Sequence, residues 1–298
     1  MQHQIGPMIS EEVRKPLGLI AGSGRFPVLV VREAGKKGIP MVVAAIREEA
    51  STKVAESVEL AGDNFTLHWI ALGQLGKLIR LFKRHGVEEA LMAGQVRHSQ
   101  IFSHKASASR KLLSAMPDLT MVKVLMSLPK RNTETLIGGI VDVLEKNGIK
   151  LLDSTLFLKN LVAESGVLTQ REPTVSEWKD IEYGRPIARQ LAALDLGQSV
   201  VVKDCAVVAV EAMEGTNETV ERAARLTGGQ SLTLIKVARP EQDMRFDVPV
   251  LGLDSLKVFG RCRVTAIAVD AKKTLLLDRK KFLAGANELD ISICSGSL

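Results

Sequence analysis

Leu17-Gly18-Leu19-Ile20-Ala21-Gly22-Ser23-Gly24-Arg25-Phe26-Pro27 is the stretch that decides the fold class. Its first residues carry no polar side chain and read as a strand buried on both faces. Gly22 and Gly24 permit a tight turn, and Pro27 suits the start of a helix, where its missing N–H costs nothing. That helix runs to about Gly35. Pro40–Ala45 then reads as a second strand, Phe65–Ile70 as a third, Leu72–His85 as an amphipathic helix and Glu89–Ala93 as a further strand entering Gly94-Gln95-Val96-Arg97-His98. Strands alternating with helices imply parallel pairing, with ligands beyond the C-terminal strand ends.

Asp118–Leu128 and Thr133–Lys146 read as helices, and Asn147-Gly148 is a good helix stop. The domain boundary is placed there, giving an N-terminal α/β domain over 16–148 and a second α/β domain over 149–298. Gly166–Thr174, loop-like with Pro173, is the alternative hinge. Downstream, Ser176–Leu194 reads as a helix, and strands are expected near Ser199–Lys203, Ala206–Glu211, Leu232–Val237, Ala266–Asp270, Thr274–Leu277 and Leu289–Ile293. Helices near Thr216–Leu226, Ser255–Cys262 and Arg279–Ala286 separate several of them.

The 298 residues leave room for two such domains, and a hydrophobic content of 46% supplies their cores. Aromatic residues make up only 4%, so the cores are aliphatic and stacking platforms for single-stranded nucleic acid are lacking. No nucleic-acid partner is expected. The net charge of +6 suits a phosphorylated substrate or an anionic lipid surface. Cys205, Cys262 and Cys294 are odd in number and far apart, which argues against a disulfide framework or a zinc site and for a reducing cytoplasm. Met1–Lys15 has no continuous apolar run and reads as a loosely docked arm, not a secretory signal. No stretch approaches the length of a spanning helix, so any membrane contact is expected to be peripheral.

Gly22, Ser23 and Gly24, between a strand and a helix, fit backbone approach to a phosphate. They make a poor dinucleotide fingerprint. Pro27 takes the place of the third glycine, and the strand ending Ala44-Ala45-Ile46-Arg47 offers no acid for a ribose beyond Glu48. A tight turn without a ligand is the plainer alternative. Gln95 and Arg97 lie just past a strand end, the favoured ligand position, and Arg97 could pair with phosphate. His98 is more often structural than catalytic, and Lys130 and Arg131 more often a solvated turn.

Two acidic motifs mark the second domain. Val207-Val208-Ala209-Val210 leads into Glu211-Ala212-Met213-Glu214-Gly215-Thr216-Asn217. A strand, an acidic turn and a helix start, with Thr216 or Asn217 as N-cap, make a metal–phosphate site or plain capping chemistry. Further on stands Gln242-Asp243-Met244-Arg245-Phe246-Asp247-Val248-Pro249. If extended, it turns Asp243, Arg245 and Asp247 to one face, and Met244, Phe246 and Val248 to a core. Two carboxylates flanking a guanidinium suit Mg²⁺ plus phosphate; a surface ion-pair ladder is the alternative.

Together the two motifs resemble the UDP-2,3-diacylglucosamine pyrophosphatases of the LpxI type. Leu19–Pro27, Ala93-Gly94-Gln95-Val96 and Leu196-Gly197-Gln198-Ser199-Val200-Val201-Val202 extend the likeness over about Pro16 to Ser292. The resemblance implies a Rossmann-like N-terminal domain and a substrate lying in an interdomain cleft. It implies Mg²⁺-dependent hydrolysis, Mn²⁺ being an allowed substitute, in which water attacks the sugar-side phosphorus and releases UMP and 2,3-diacylglucosamine 1-phosphate. On this reading Asp243, Arg245 and Asp247 are catalytic. Asp243, Asp247, Glu211 and Glu214 hold metal. Gly22, Ser23, Gly24, Gln95, Arg97, Gly215, Thr216 and Asn217 bind substrate. The partners are an acylated UDP-glucosamine and the anionic inner-membrane surface, with the protein cytoplasmic and peripheral; a homodimer is an allowed assembly. Two departures stand out: Asn217 where the family has an Asp, and Asn132-Thr133-Glu134 where a G-D-D-like turn is expected. The rivals are a nicotinamide-dependent oxidoreductase and a non-catalytic sugar-nucleotide or lipid-phosphate binder.

Overall fold

The computed structural model describes residues 15–96, 117–128 and 133–296. The chain divides into two compact units, Met1–Phe157 and Leu158–Leu298.

In the first unit, β1 (Leu17–Ala21), β2 (Met41–Ile46), β3 (Phe65–Ile70), β4 (Glu89–Ala93) and β5 (Lys150–Leu151) form one sheet in the order β3-β2-β1-β4-β5. Every pairing is parallel. This is the Rossmann-like arrangement, and the chain reverses its winding between β1 and β4. β1 and β2 are buried throughout, as charge-free strands covered on both faces must be. The helices are α1 (Phe26–Lys36), α2 (Thr52–Ala61), α3 (Leu75–Arg84), α4 (Leu119–Ser127) and α5 (Thr133–Lys146). α2 is absent from the sequence reading. It buries only Val54, Ser57 and Val58, an apolar stripe too narrow to stand out. One carboxylate, Asp118, serves two helix starts: Oδ1 accepts from Met121 N at 3.0 Å in α4, and Oδ2 from Gly76 N at 2.7 Å in α3. β5 lies beyond the Asn147-Gly148 stop and returns to β4, so the contact boundary falls downstream of that turn.

The second unit carries β6 (Gly166–Val167), β7 (Ser199–Lys203), β8 (Ala206–Val210), β9 (Leu232–Lys236), β10 (Val250–Leu251), β11 (Val264–Val269), β12 (Leu275–Leu276) and β13 (Ser292–Ser295). Its helices are α6 (Val175–Ala193), α7 (Thr216–Thr227), α8 (Leu253–Arg261) and α9 (Arg279–Glu288). The main sheet has the order β6-β13-β11-β9-β7-β8. β13, β11 and β9 run parallel, while β7 is antiparallel to both β9 and β8. The ends of β8, β9, β11 and β13 therefore share one edge with the start of β7. Gly166-Val167, read as a hinge, instead pairs antiparallel with β13 as an edge strand.

Alternation along the strands makes two cores. Val200, Val202 and Ile235 face α6 through Ile181 and Ala188. Val201, Leu234 and Ile267 face Val220 of α7, Phe259 of α8 and Phe282 of α9. α6 begins with a capping box, Thr174 and Glu177 each accepting from the other's backbone N–H. Among the described residues, no helix is long and apolar enough to cross a membrane.

Candidate functional site

In the first unit the sequence-predicted residues meet at the switch point between β1 and β4, the crevice that ligands favour in such sheets. Gly22 N donates to Ala93 O at 2.8 Å and Ser23 N to Gln95 O at 2.9 Å. The Ser23 hydroxyl donates to the same Gln95 carbonyl at 2.7 Å. The N–H groups of Gly22 and Ser23 thus bind the loop after β4 rather than standing ready for a phosphate. The glycines serve this contact: a Cβ on Gly22 would lie 2.8 Å from Gln95 O, and one on Gly94, at φ +91, would collide with the Ser23 carbonyl. Gly24 also needs glycine, at φ +87, and faces open space. Gln95 contributes its backbone here. Arg97, His98, Lys130, Arg131 and Asn132 lie outside the described residues, as does the side chain of Glu134.

The second unit gathers a polar cluster at the shared strand edge. Pairing of Ser199 with Lys236, and of Val200 with Val210, sets Ser199 between Lys236 and Glu211. Glu211 N donates to Ser199 O at 2.8 Å. Glu211 Oε1 accepts from the Thr216 hydroxyl at 2.9 Å. Glu211 Oε2 is buried without a hydrogen-bond partner and lies 3.8 Å from Lys236 Nζ. Burial works against the charge on Glu211; the Lys236 ammonium, the hydroxyls of Ser199 and Thr216 and the Gln198 backbone outweigh it and hold the carboxyl below its ordinary range. The turn before α7 differs from the expected capping. Gly215, at φ 86, is the N-cap and no side chain caps the helix, while Thr216 is already its first residue. Glu214 accepts from Ala212 N at 3.2 Å and pairs with Arg222 at 2.9 Å.

The Asp243–Asp247 stretch is a turn, not an extended segment. Asp243 Oδ1 accepts from Arg245 N at 3.0 Å, the local bond by which aspartate initiates turns, and Asp247 N donates to Asp243 O at 2.9 Å. Gln242 clamps the loop: Oε1 accepts from Arg239 N at 2.7 Å, and Nε2 donates to Asp247 O. Alternation is lost, so Met244, Phe246 and Val248 are half-buried instead of entering a core. Nor does Arg245 bridge the two acids. It forks onto Asp243, whose carboxyl its hydrogen bonds hold below the usual range against a smaller effect of burial. Arg239 reaches Asp247 at 3.6 Å and Asp195 at 3.0 Å. Beneath the loop, buried Asp270 accepts from Ala238 N at 2.8 Å and pairs with Arg185 at 2.8 Å.

Among the described residues, no three His, Cys, Asp or Glu side chains are grouped so as to hold a metal. Glu211 faces Lys236, Glu214 faces Arg222, Asp243 faces Arg245 and Asp247 faces Arg239. Each acid named for metal is thus beside a cation, and the four do not fit a resident divalent ion. Lys236, Ser199, Arg239, Asp195 and Asp270 escaped the sequence reading. The one available signal was Lys236 closing the apolar run Leu232-Thr233-Leu234-Ile235, since a lysine in such a place needs buried partners.

The chain is a two-domain α/β protein with its polar loops at the C-terminal strand edge of each sheet. It belongs to the LpxI family: the LpxI N-terminal domain matches residues 16–161 and the LpxI C-terminal domain residues 164–294. It is 27% identical over 290 residues to the UDP-2,3-diacylglucosamine pyrophosphatase LpxI of Caulobacter vibrioides, covering 94% of this chain and 96% of that protein.

Proposed function

We propose that this protein hydrolyses the pyrophosphate of UDP-2,3-diacylglucosamine to UMP and 2,3-diacylglucosamine 1-phosphate, a step of lipid A synthesis. The observation that carries the reading is family membership across both domains, joined to a relative named for this activity at near full length. The geometry is compatible with it. Cleavage of a pyrophosphate anhydride needs charge stabilisation and an oriented water. The loops after β8 and β9 offer a helix start without a side-chain cap, a guanidinium at Arg245 and carboxylates at Asp243 and Asp247. Water adds to the sugar-side phosphorus, the bond from that phosphorus to the bridging oxygen breaks, and UMP departs with that oxygen. Asp243 is assigned first among the carboxylates and Asp247 next.

Mg²⁺, or Mn²⁺ in its place, belongs to the proposal as an ion that arrives with the substrate, because Mg²⁺ commonly draws its ligands from substrate phosphates and one or two carboxylates. The same reading puts the protein in the cytoplasm, against the inner-membrane surface where an acylated substrate would lie. The test is incubation with UDP-2,3-diacylglucosamine and Mg²⁺ in mixed micelles, with and without excess EDTA. UMP is expected only without the chelator. Absence of UMP under all conditions would remove the catalytic reading. Binding without UMP would establish the non-catalytic alternative.

A further inference from the structure

Lys236 stands where a strand core would normally exclude a charge. It is 4% exposed, and Glu211 beside it is 8% exposed. Burying either charge alone would be costly, so each depends on its partners. Lys236 Nζ donates to Thr216 Oγ1 at 2.9 Å and lies 3.4 Å from Ser199 Oγ. With the ammonium donating to its oxygen, Thr216 has its single hydroxyl proton left for Glu211 Oε1. Thr216 is also the first residue of α7, whose Gly215 N-cap provides no side-chain acceptor. Such a helix start favours an anion, but an uncompensated carboxylate as near as Glu211 would oppose one. Glu211 Oε2, buried and lacking a hydrogen bond, has Lys236 as its nearby cation.

We propose that Lys236 is a positioning residue for the substrate pyrophosphate: it offsets the charge of Glu211 and fixes the Thr216 hydroxyl, so that the Gly215-Thr216-Asn217 turn receives phosphate. This rests on the reading under Proposed function. Lys236 acts through its neighbours and makes no contact with the reacting atoms. Glu211 then has an internal counter-ion and is not a metal ligand.

The experiment compares wild type with Lys236→Met, Glu211→Gln and the double variant, each checked by thermal melting. Inorganic pyrophosphate binding is measured by calorimetry, and kcat and KM with UDP-2,3-diacylglucosamine. Lys236→Met is expected to weaken pyrophosphate binding and raise KM about tenfold, with kcat changed less than about threefold, the pattern of lost ground-state and transition-state binding together. Glu211→Gln is expected to tighten pyrophosphate. The double variant is expected to return to within about threefold of wild type, because it removes both charges. A Lys236→Met protein that binds pyrophosphate as wild type does, or a double variant as weak as Lys236→Met, overturns the inference. If Lys236→Met does not fold, Glu211→Gln decides alone: tighter binding supports the inference, and unchanged or weaker binding overturns it. Wild type that binds pyrophosphate but yields no UMP removes the functional reading and leaves this inference standing; wild type that fails to bind pyrophosphate overturns the inference itself.

Discussion

The guanidinium of Arg245 forks onto the carboxylate of Asp243, with Nη2 2.8 Å from Oδ2 and Nε 3.0 Å from Oδ1. Both side chains are partly exposed, and a pair of this kind contributes about 0–1 kcal/mol to stability. Asp243→Ala is therefore expected to keep its fold. If Asp243 orients water or a substrate-borne ion, the variant loses roughly 10²-fold or more in UMP release, the scale of a lost catalytic group. Near-normal turnover in a folded variant would remove Asp243 from the mechanism.

Acid should weaken the second unit. Burial raises Glu177 and Glu211, yet the hydrogen bonds and charge of Arg171 on the first, and Lys236 with its hydroxyl neighbours on the second, leave both below the ordinary glutamate value of 4.5. A carboxyl depressed in the folded state stabilises above its unfolded value and loses that contribution as pH falls through the folded one. Melting temperature is expected to fall once the pH drops below about 4.5, and a melt unchanged down to about pH 3 would contradict the assignment.

Gly197 admits no side chain. A Cβ there would overlap the Glu211 carbonyl, so one of the two backbones must shift. Gly197→Ala is expected to destabilise by about 1–3 kcal/mol, the usual range for substitutions that force packed groups apart. Because the displaced residue is Glu211, UMP release should suffer beyond what the loss of stability explains. A variant with wild-type melting would show that the contact relaxes freely.

Arg185 and Asp270 form a buried pair with side chains 5% and 7% exposed. Removing one partner of such a pair strands a charge and costs about 3–5 kcal/mol. Asp270→Ala is expected in that range by urea denaturation. It also frees Ala238 N, at the head of the loop that carries Asp243. A cost as small as that of an exposed pair would mean that water reaches the site.

Acyl chains should dominate substrate preference. Each buried methylene contributes about 0.8 kcal/mol, so a few per chain change affinity by orders of magnitude. In mixed micelles, kcat/KM for UDP-2,3-diacylglucosamine is expected to exceed that for UDP-GlcNAc strongly. Equal values would recast the protein as a general nucleotide-sugar hydrolase.

Most of the first unit was legible because β1 and β2 are charge-free and its turns rich in glycine, signals that depend on neighbouring residues alone. The reading stopped where side-chain hydrogen bonds decide. Asp243-Met244-Arg245-Phe246-Asp247 alternates like a strand, but the Asp243 side chain bonds Arg245 N and the Gln242 clamp folds the segment into a turn. Periodicity cannot register such side-chain competition for the backbone. Gly22 likewise looked like a partner for a phosphate and proves, with Gly94, to serve the contact between the loops after β1 and β4. Lys236 was hidden inside an apolar run, since the neighbours that tolerate its charge come from β7, the turn after β8 and α7.

The placement of Ser199 between Lys236 and Glu211 follows from the pairing of three adjacent strands. Side chains in a strand alternate, so sliding β7 by one residue would present Val200 where Ser199 stands and leave two buried charges beside an aliphatic side chain. Misaligned sheets therefore pay in electrostatics as well as in packing. The polar cluster acts as a checkpoint on assembly, and a molecule that has folded in the right register has, by the same event, built the edge that carries the candidate site.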